Sequence, residues 1–292
     1  TSKTIDANFV NNYELIKTAK SSVSKKNELN LAQDYINDKM YFGIYINEEL
    51  SVITSNYGRI ELEDLEKENL ETKYEDIDES LFSLEGVENY LIKNYKVNPF
   101  DLFNKIRDYL KKYVFIDNQN VYDLLSIWII GTYVFRIFRH YPYVHIQAEK
   151  GSGKSHLFEI IKPLCFNGAM YVTLTTATLF RDVDRNSRTL LLDEIEDFKK
   201  YNKPGFNDLM SILNSGYAKS GDVARSRSGK KGGIEKYKTY SPKMFAGIND
   251  INATLDSRTI KIQMKRKLEE EKLERYIDNQ SLQTFHQTLR ND

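Results

Sequence analysis

The chain carries one cysteine in 292 residues. Cys165 has no internal partner for a disulfide and no cluster of ligands around it, which excludes a structural zinc site and leaves a buried thiol in a reducing, cytoplasmic compartment as the expectation. The four histidines, His140, His145, His156 and His286, are scattered without metal-ligand spacing and read as structural. No secretory leader is visible in the polar N-terminal residues, which do not begin with methionine. The apolar run LLSIWIIGTYVF, 124 to 135, is twelve residues between Asp123 and Arg136. A bilayer requires roughly 20, so a buried helix is expected there and no membrane partner. Net charge is also lacking, with 42 basic and 42 acidic residues, but the balance is a sum of unequal parts. Residues 1–100 hold 11 Lys and Arg against 19 Asp and Glu, a net of −8, and the remainder holds 31 against 23, a net of +8. A polyanion partner suits the second part and not the first.

What is present is the composition of a globular protein, 40% hydrophobic and 29% charged. In the first hundred residues MYFGIYI and LSVITSNYGRI read as strands around the turn-like NEE, giving a small α/β module over 1–95. Residues 61–88 contain twelve acidic and two basic residues and read as a solvated helix and linker. Phe100, Phe103, Ile106, Leu110 and Val114 then recur at helical spacing behind Pro99, and an apolar helix is expected over 121–138. From 143 onward, near-continuous apolar strands alternate with helices: YVHIQ, MYVTLT, TLLLDE, KMFAGIN and RTIKIQM, separated by GKSHLFEIIKPL, ATLFRDVDR and FNDLMSILNSG. That alternation predicts a parallel sheet sandwiched by helices.

Between the first strand and its helix lies AEKGSGKSH, residues 148–156. It follows the phosphate-binding pattern G-x-x-x-x-G-K-[ST] with Ala148 in place of the first glycine. Glycines allow such a loop to curl its N–H groups onto phosphate oxygens, and the helix that follows turns its positive end to the same charge. The cradle comprises Ala148, Glu149, Lys150, Gly151, Ser152, Gly153, Lys154, Ser155 and His156, with Lys154 reaching the β and γ phosphates and Ser155 ligating Mg²⁺. Downstream, TLLLDEIE ends an apolar strand on Asp193, placed to hold the same Mg²⁺, and on Glu194, placed to orient and deprotonate water. A small-molecule phosphotransferase has no use for that glutamate. Asn249 closes KMFAGIN, where an amide can report on the γ-phosphate, although asparagine at a strand end is also a common turn former. Arg258 precedes the last strand and is a candidate to stabilise transferring phosphate on a neighbouring subunit.

Taken in order, AEKGSGKS, TLLLDE, MFAGIN and LDSR resemble the Walker A, Walker B, sensor 1 and arginine-finger motifs of AAA+ ATPases. The stretch from about 120 to 268 is similar to the MCM-like replicative helicases and related ATPases of bacterial mobile elements. The resemblance implies an AAA+ P-loop core over 96–268 and the start of a helical C-terminal lid over 269–292. It also implies ATP and Mg²⁺ as cofactors and a hexameric homo-oligomeric ring with ATP at subunit boundaries. Lys154, Ser155, Asp193, Glu194, Asn249 and Arg258 then take the family roles. No sensor 2 arginine can be placed. Residues 219–243 hold eight basic and two acidic residues around glycines 229, 232 and 233. A hairpin there, with Arg225 and Arg227 on its ascending side and Lys230 and Lys231 at its tip, is expected to contact DNA phosphates irrespective of sequence. The leading expectation is an ATP-driven DNA translocase or helicase. The alternative is a regulatory AAA+ switch that assembles on or remodels a protein or DNA complex without unwinding, with the first module as a site for a protein partner.

Overall fold

The computed structural model describes residues 26–78, 82–92, 96–149, 151–171, 176–193, 195, 203–226, 233–247 and 253–266. The expected C-terminal helix over 269–292 lies outside them.

The first module begins with β1 (Asn27–Leu29), followed by an antiparallel meander of β2 (Asp34–Ile36), β3 (Lys39–Ile46), β4 (Glu49–Thr54) and β5 (Arg59–Glu61). Its first two hairpins are closed by two-residue turns. Ile36 pairs with Lys39 and Ile46 with Glu49, and both residues of each turn have positive φ: Asn37 at 50° and Asp38 at 62°, Asn47 at 52° and Glu48 at 69°. That geometry matches strand twist and suits Asn, Asp and Gly, so Glu48 is the poorly matched residue of the four. Exchanging exposed Glu48 for glycine is expected to raise stability by about 0.5–1 kcal/mol, read as a higher denaturation midpoint at unchanged m-value.

After β5 the chain forms a 3₁₀ turn (Leu62–Glu68), β6 (Leu70–Thr72), which pairs in parallel with β1, and α1 (Leu84–Leu91). The acidic stretch 61–88 is therefore not a solvated linker. Leu65, Leu70 and Ile77 are buried, and Asp76 and Asp78 form ion pairs with Arg185 and Arg188. Two of its carboxylates thus find their cations about a hundred residues further along the chain, while Glu61, Asp64 and Glu66 pair with Arg59, Lys67 and Lys26.

Next come α2 (Pro99–Tyr113) and α3 (Asn120–Gly131). Pro99 occupies the first turn of α2, and the Asn98 side chain caps it by accepting from the Phe100 N–H at 3.0 Å. Ile106, Leu110 and Val114 are buried as their spacing predicts, whereas Phe100 is 67% exposed. Helix α3 stops at Gly131, short of the expected 138. There the Tyr141 hydroxyl donates to the Trp128 carbonyl at 2.6 Å, and the chain turns through a short 3₁₀ segment (Phe135–Ile137).

The remaining elements are β7 (Tyr143–Ala148), α4 (Lys154–Ile161), β8 (Gly168–Tyr171), α5 (Thr176–Asn186), β9 (Thr189–Leu192), α6 (Lys203–Ser215), the hairpin strands β10 (Asp222–Ser226) and β11 (Ile234–Lys238), β12 (Lys243–Gly247), α7 (Ala253–Asp256) and β13 (Thr259–Met264). Five of these strands form a parallel sheet in the order β13, β7, β12, β9, β8. Period-two alternation divides its side chains between two cores. Val144, Ile146, Leu191, Met244, Ala246 and Ile262 pack with α2, α3 and α4. Tyr143, Leu190, Leu192 and Phe245 pack with α5, α6 and α7. The expected α/β sandwich is thus present. Cys165 is buried in the first of these cores, and burial pushes its thiol well above the usual range. Among the described residues no helix is long and apolar enough to cross a membrane.

Candidate functional site

Because the sheet is parallel, the carboxyl ends of β7, β12 and β9 lie along one edge, the usual place for a ligand in an open α/β sheet. The glycine loop leaves β7 there. Gly151 and Gly153 have φ of 81° and 88°, and a Cβ at either would meet nothing within 4 Å, so it is the backbone conformation that requires glycine. Between them Ser152 turns inward, donating its N–H and hydroxyl to the Glu149 carbonyl at 3.3 and 2.8 Å. Gly153 caps α4, whose first N–H groups open toward the loop. Ala148 requires no such freedom. It is the last residue of β7, pairs with Met264, is buried, and has no positive φ, so its methyl group fits where the usual motif has glycine.

Lys154 folds back onto its own loop and donates to the Ala148 carbonyl at 2.8 Å. Ser155 faces the opposite way, toward the end of β9, and its hydroxyl donates to Asp193 Oδ2 at 2.6 Å. Asp193 is only 5% exposed and is steadied by its N–H bond to the Tyr171 carbonyl at 3.4 Å. Strand β12 lies between β7, which leads into Ser155 on α4, and β9, which leads into Asp193, so the contact depends on sheet order and not on chain proximity. A hydroxyl and a carboxylate side by side offer the hard oxygen donors that suit Mg²⁺, and phosphate oxygens would complete the set. Among the described residues no group of three or more His, Cys, Asp or Glu makes a protein-only metal cage.

No protein-family model matches the chain, and no curated protein matches it.

Beside the loop is a cavity of about 270 Å³. Tyr113 at the end of α2, Phe115 just beyond it and Met264 at the end of β13 give it aromatic and apolar walls, and Lys265 and Arg266 give it positive charge. His156 also lines it and is held through Nε2 to the Tyr113 carbonyl at 3.1 Å. Lys265 is paired with Asp117 at 2.6 Å. His156 belongs to the cradle expected from the sequence, whereas Tyr113, Phe115, Met264, Lys265 and Arg266 carry no such signal. They lie at the ends of elements where nothing in local spacing marks a ligand, and they converge only because β13 runs beside β7.

Lys150, Glu194, Asn249, Arg227, Lys230 and Lys231 fall outside the described residues. Arg258 is held by the Asn214 carbonyl and lies over the Tyr217 ring at 5.7 Å. Its own carbonyl accepts from the Tyr143 N–H at 3.0 Å, which places it at the start of β7. The glycine loop is at the other end of that strand, roughly 17 Å away at about 3.3 Å per residue. The expected hairpin forms, with Asp222 opposite Lys238 and Ser226 opposite Ile234. Its Arg225 does not project as a free cation: it pairs with Asp208 at 3.0 Å and stacks over Phe180 at 4.7 Å. A guanidinium paired with a carboxylate has part of its charge already compensated before it meets a phosphate.

Proposed function

We propose that this protein is an ATP-hydrolysing AAA+ motor that acts on DNA as a translocase or helicase, working as a ring of like subunits. The observation that carries the reading is the contact between Ser155 and Asp193 beside a glycine loop with two left-handed glycines. Three features of a triphosphate site converge there: a cradle of N–H groups, a lysine and a pair of magnesium-binding oxygens. Lys154 exchanges its bond to the Ala148 carbonyl for the β and γ phosphates. Ser155 and Asp193 would hold a magnesium ion, which would supply neutralisation of the phosphate charge. Glu194 directs the attacking water and Asn249 senses its product. The neighbouring cavity, with an aromatic and apolar lining, receives the nucleoside.

Arg258 lies too far from its own glycine loop to serve it, and presentation to the loop of the next subunit accounts for its place at the far end of β7. The hairpin supplies the DNA contact through Arg227, Lys230 and Lys231. One observation favours the switch that remodels without unwinding: Arg225 and Lys238 are already paired with Asp208 and Glu28, which leaves fewer cations for a polyanion.

Forked DNA with a labelled strand separates the two. A helicase releases the strand in the presence of ATP and Mg²⁺, and a switch hydrolyses ATP without releasing it. Replacing Lys230 and Lys231 together by alanine is expected to lower DNA affinity and to flatten its dependence on log salt by about two units. Unchanged affinity would remove the hairpin from the reading.

A further inference from the structure

The residues before 95 have no role in the chemistry just described, yet several of them converge on the hairpin. The point of convergence is Asp184, on α5, whose side chain is 2% exposed. Its Oδ1 accepts the Lys238 N–H of β11 at 2.9 Å. Its Oδ2 accepts the Tyr74 hydroxyl at 2.6 Å and the Lys73 ammonium. Its carbonyl accepts the Asn30 side-chain amide at 2.6 Å. Lys73 then reaches past the carboxylate to the Lys236 carbonyl at 3.1 Å and lies 5.1 Å from the centre of the Tyr237 ring. Glu28 pairs with the Lys238 ammonium at 2.6 Å.

Residues two apart on a strand direct their backbone groups to the same side. The Lys236 carbonyl and the Lys238 N–H therefore belong to one edge of β11, the edge away from β10. An edge of this kind is normally open to solvent or to another strand. Here it is capped by side chains, Lys73 on the carbonyl and Asp184 on the N–H. Burial and the neighbouring carboxylate push the Tyr74 phenol far above its usual range, so it stays a hydrogen-bond donor at any physiological pH. On the other side of the hairpin's exit, the fully buried Lys243 donates to the Thr239 and Ser241 carbonyls at 2.9 and 3.0 Å, fixing the chain as it enters β12.

We propose that the first module is a brace for the hairpin, with Asp184 as the positioning residue and Lys73 and Tyr74 as its contacts from the module. The brace sets the angle at which the hairpin tip meets a polyanion, and this consequence rests on the DNA contact proposed above. It also refers the hairpin to the nucleotide site, because Asp184 lies nine residues before Asp193 on the same helix-to-strand unit. The module's own fold does not depend on this contact: its cores, around Leu29, Tyr41 and Val52 and around Ile44 and Val87, lie within residues before 95.

The test uses the full chain with Lys73→Met, whose side chain is 29% exposed and dispensable to any core, alone and with Tyr74→Phe. Backbone amide exchange is followed in 234–238, with β12 at 243–247 as an internal reference, together with affinity for a labelled oligonucleotide and ATP hydrolysis without DNA. Exchange in 234–238 is expected to quicken about tenfold while β12 stays protected, because losing one charge-assisted bond frees only the local segment. DNA affinity falls severalfold, hydrolysis without DNA is retained, and Lys73→Arg restores most of the protection. Unchanged exchange in 234–238, or an equal rise in β12, overturns the brace. If the Lys230 and Lys231 variant loses affinity but the brace variants do not, the module does not set the hairpin's presentation and that part of the proposal fails. If neither set changes affinity while exchange responds, the brace stands and the DNA reading fails.

Discussion

Asp193→Asn is expected to lower magnesium-dependent ATP hydrolysis by about 10²-fold or more, the upper range for losing a ligand-positioning carboxylate, while nucleotide binding in the absence of magnesium changes little. Asparagine keeps the shape of the side chain and one oxygen for the Ser155 hydroxyl, now bonded to Asp193 at 2.6 Å, so the end of β9 has no reason to collapse. What it loses is the charge. A neutral amide beside Ser155 weakens the hold on a divalent cation and leaves the γ-phosphate less well neutralised. The measurement is phosphate release over a magnesium titration, paired with binding of a fluorescent ATP analogue in EDTA. A variant with full turnover at ordinary magnesium would take Asp193 out of the metal site. Full loss of binding in EDTA would mean that the residue holds the loop itself and not the ion.

The parallel sheet, its two-sided core and the glycine loop were all legible in the sequence, because each is written in local pattern: apolar runs four to six residues long, helices between them, and glycine at two positions that need positive φ. The Ser155 to Asp193 contact was legible only as a pair of motifs. Sheet order brings them together, and sheet order is not a local property. The acidic stretch 61–88 was misread for the same reason in reverse, since Asp76 and Asp78 find Arg185 and Arg188 only after the module docks. Arg225 looked like one more cation in a basic run until Asp208 and the Phe180 ring appeared beside it. Asp184 carried no signal at all. The second of two aspartates in RDVDRNS is ordinary helix surface by composition, and its burial follows from distant segments closing over it.

The second large effect belongs to Arg258. Changing it to alanine is expected to slow ATP hydrolysis about 10³-fold, the lower end of what such an arginine contributes elsewhere, with nucleotide affinity largely retained because its main contribution is to charge that develops in the transition state. The residue is half-buried, and among the described residues its guanidinium meets the Asn214 carbonyl and the Tyr217 ring face, contacts whose loss costs the fold little. The decisive version mixes two inactive proteins. Lys154→Ala chains have an intact Arg258 but an impaired cradle, and Arg258→Ala chains have the reverse. If the arginine acts across a boundary between copies, some interfaces in a mixed ring combine an intact cradle with an intact arginine, and hydrolysis recovers to a fraction set by the mixing ratio. If it acts within its own chain, no mixture contains a complete site and the rate stays at the sum of the two backgrounds. Recovery would establish in one measurement that the protein assembles with itself and that its nucleotide lies at the boundary. Absence of recovery, with both variants folded and assembled like the parent, would leave Arg258 a structural clasp between Asn214 and Tyr217.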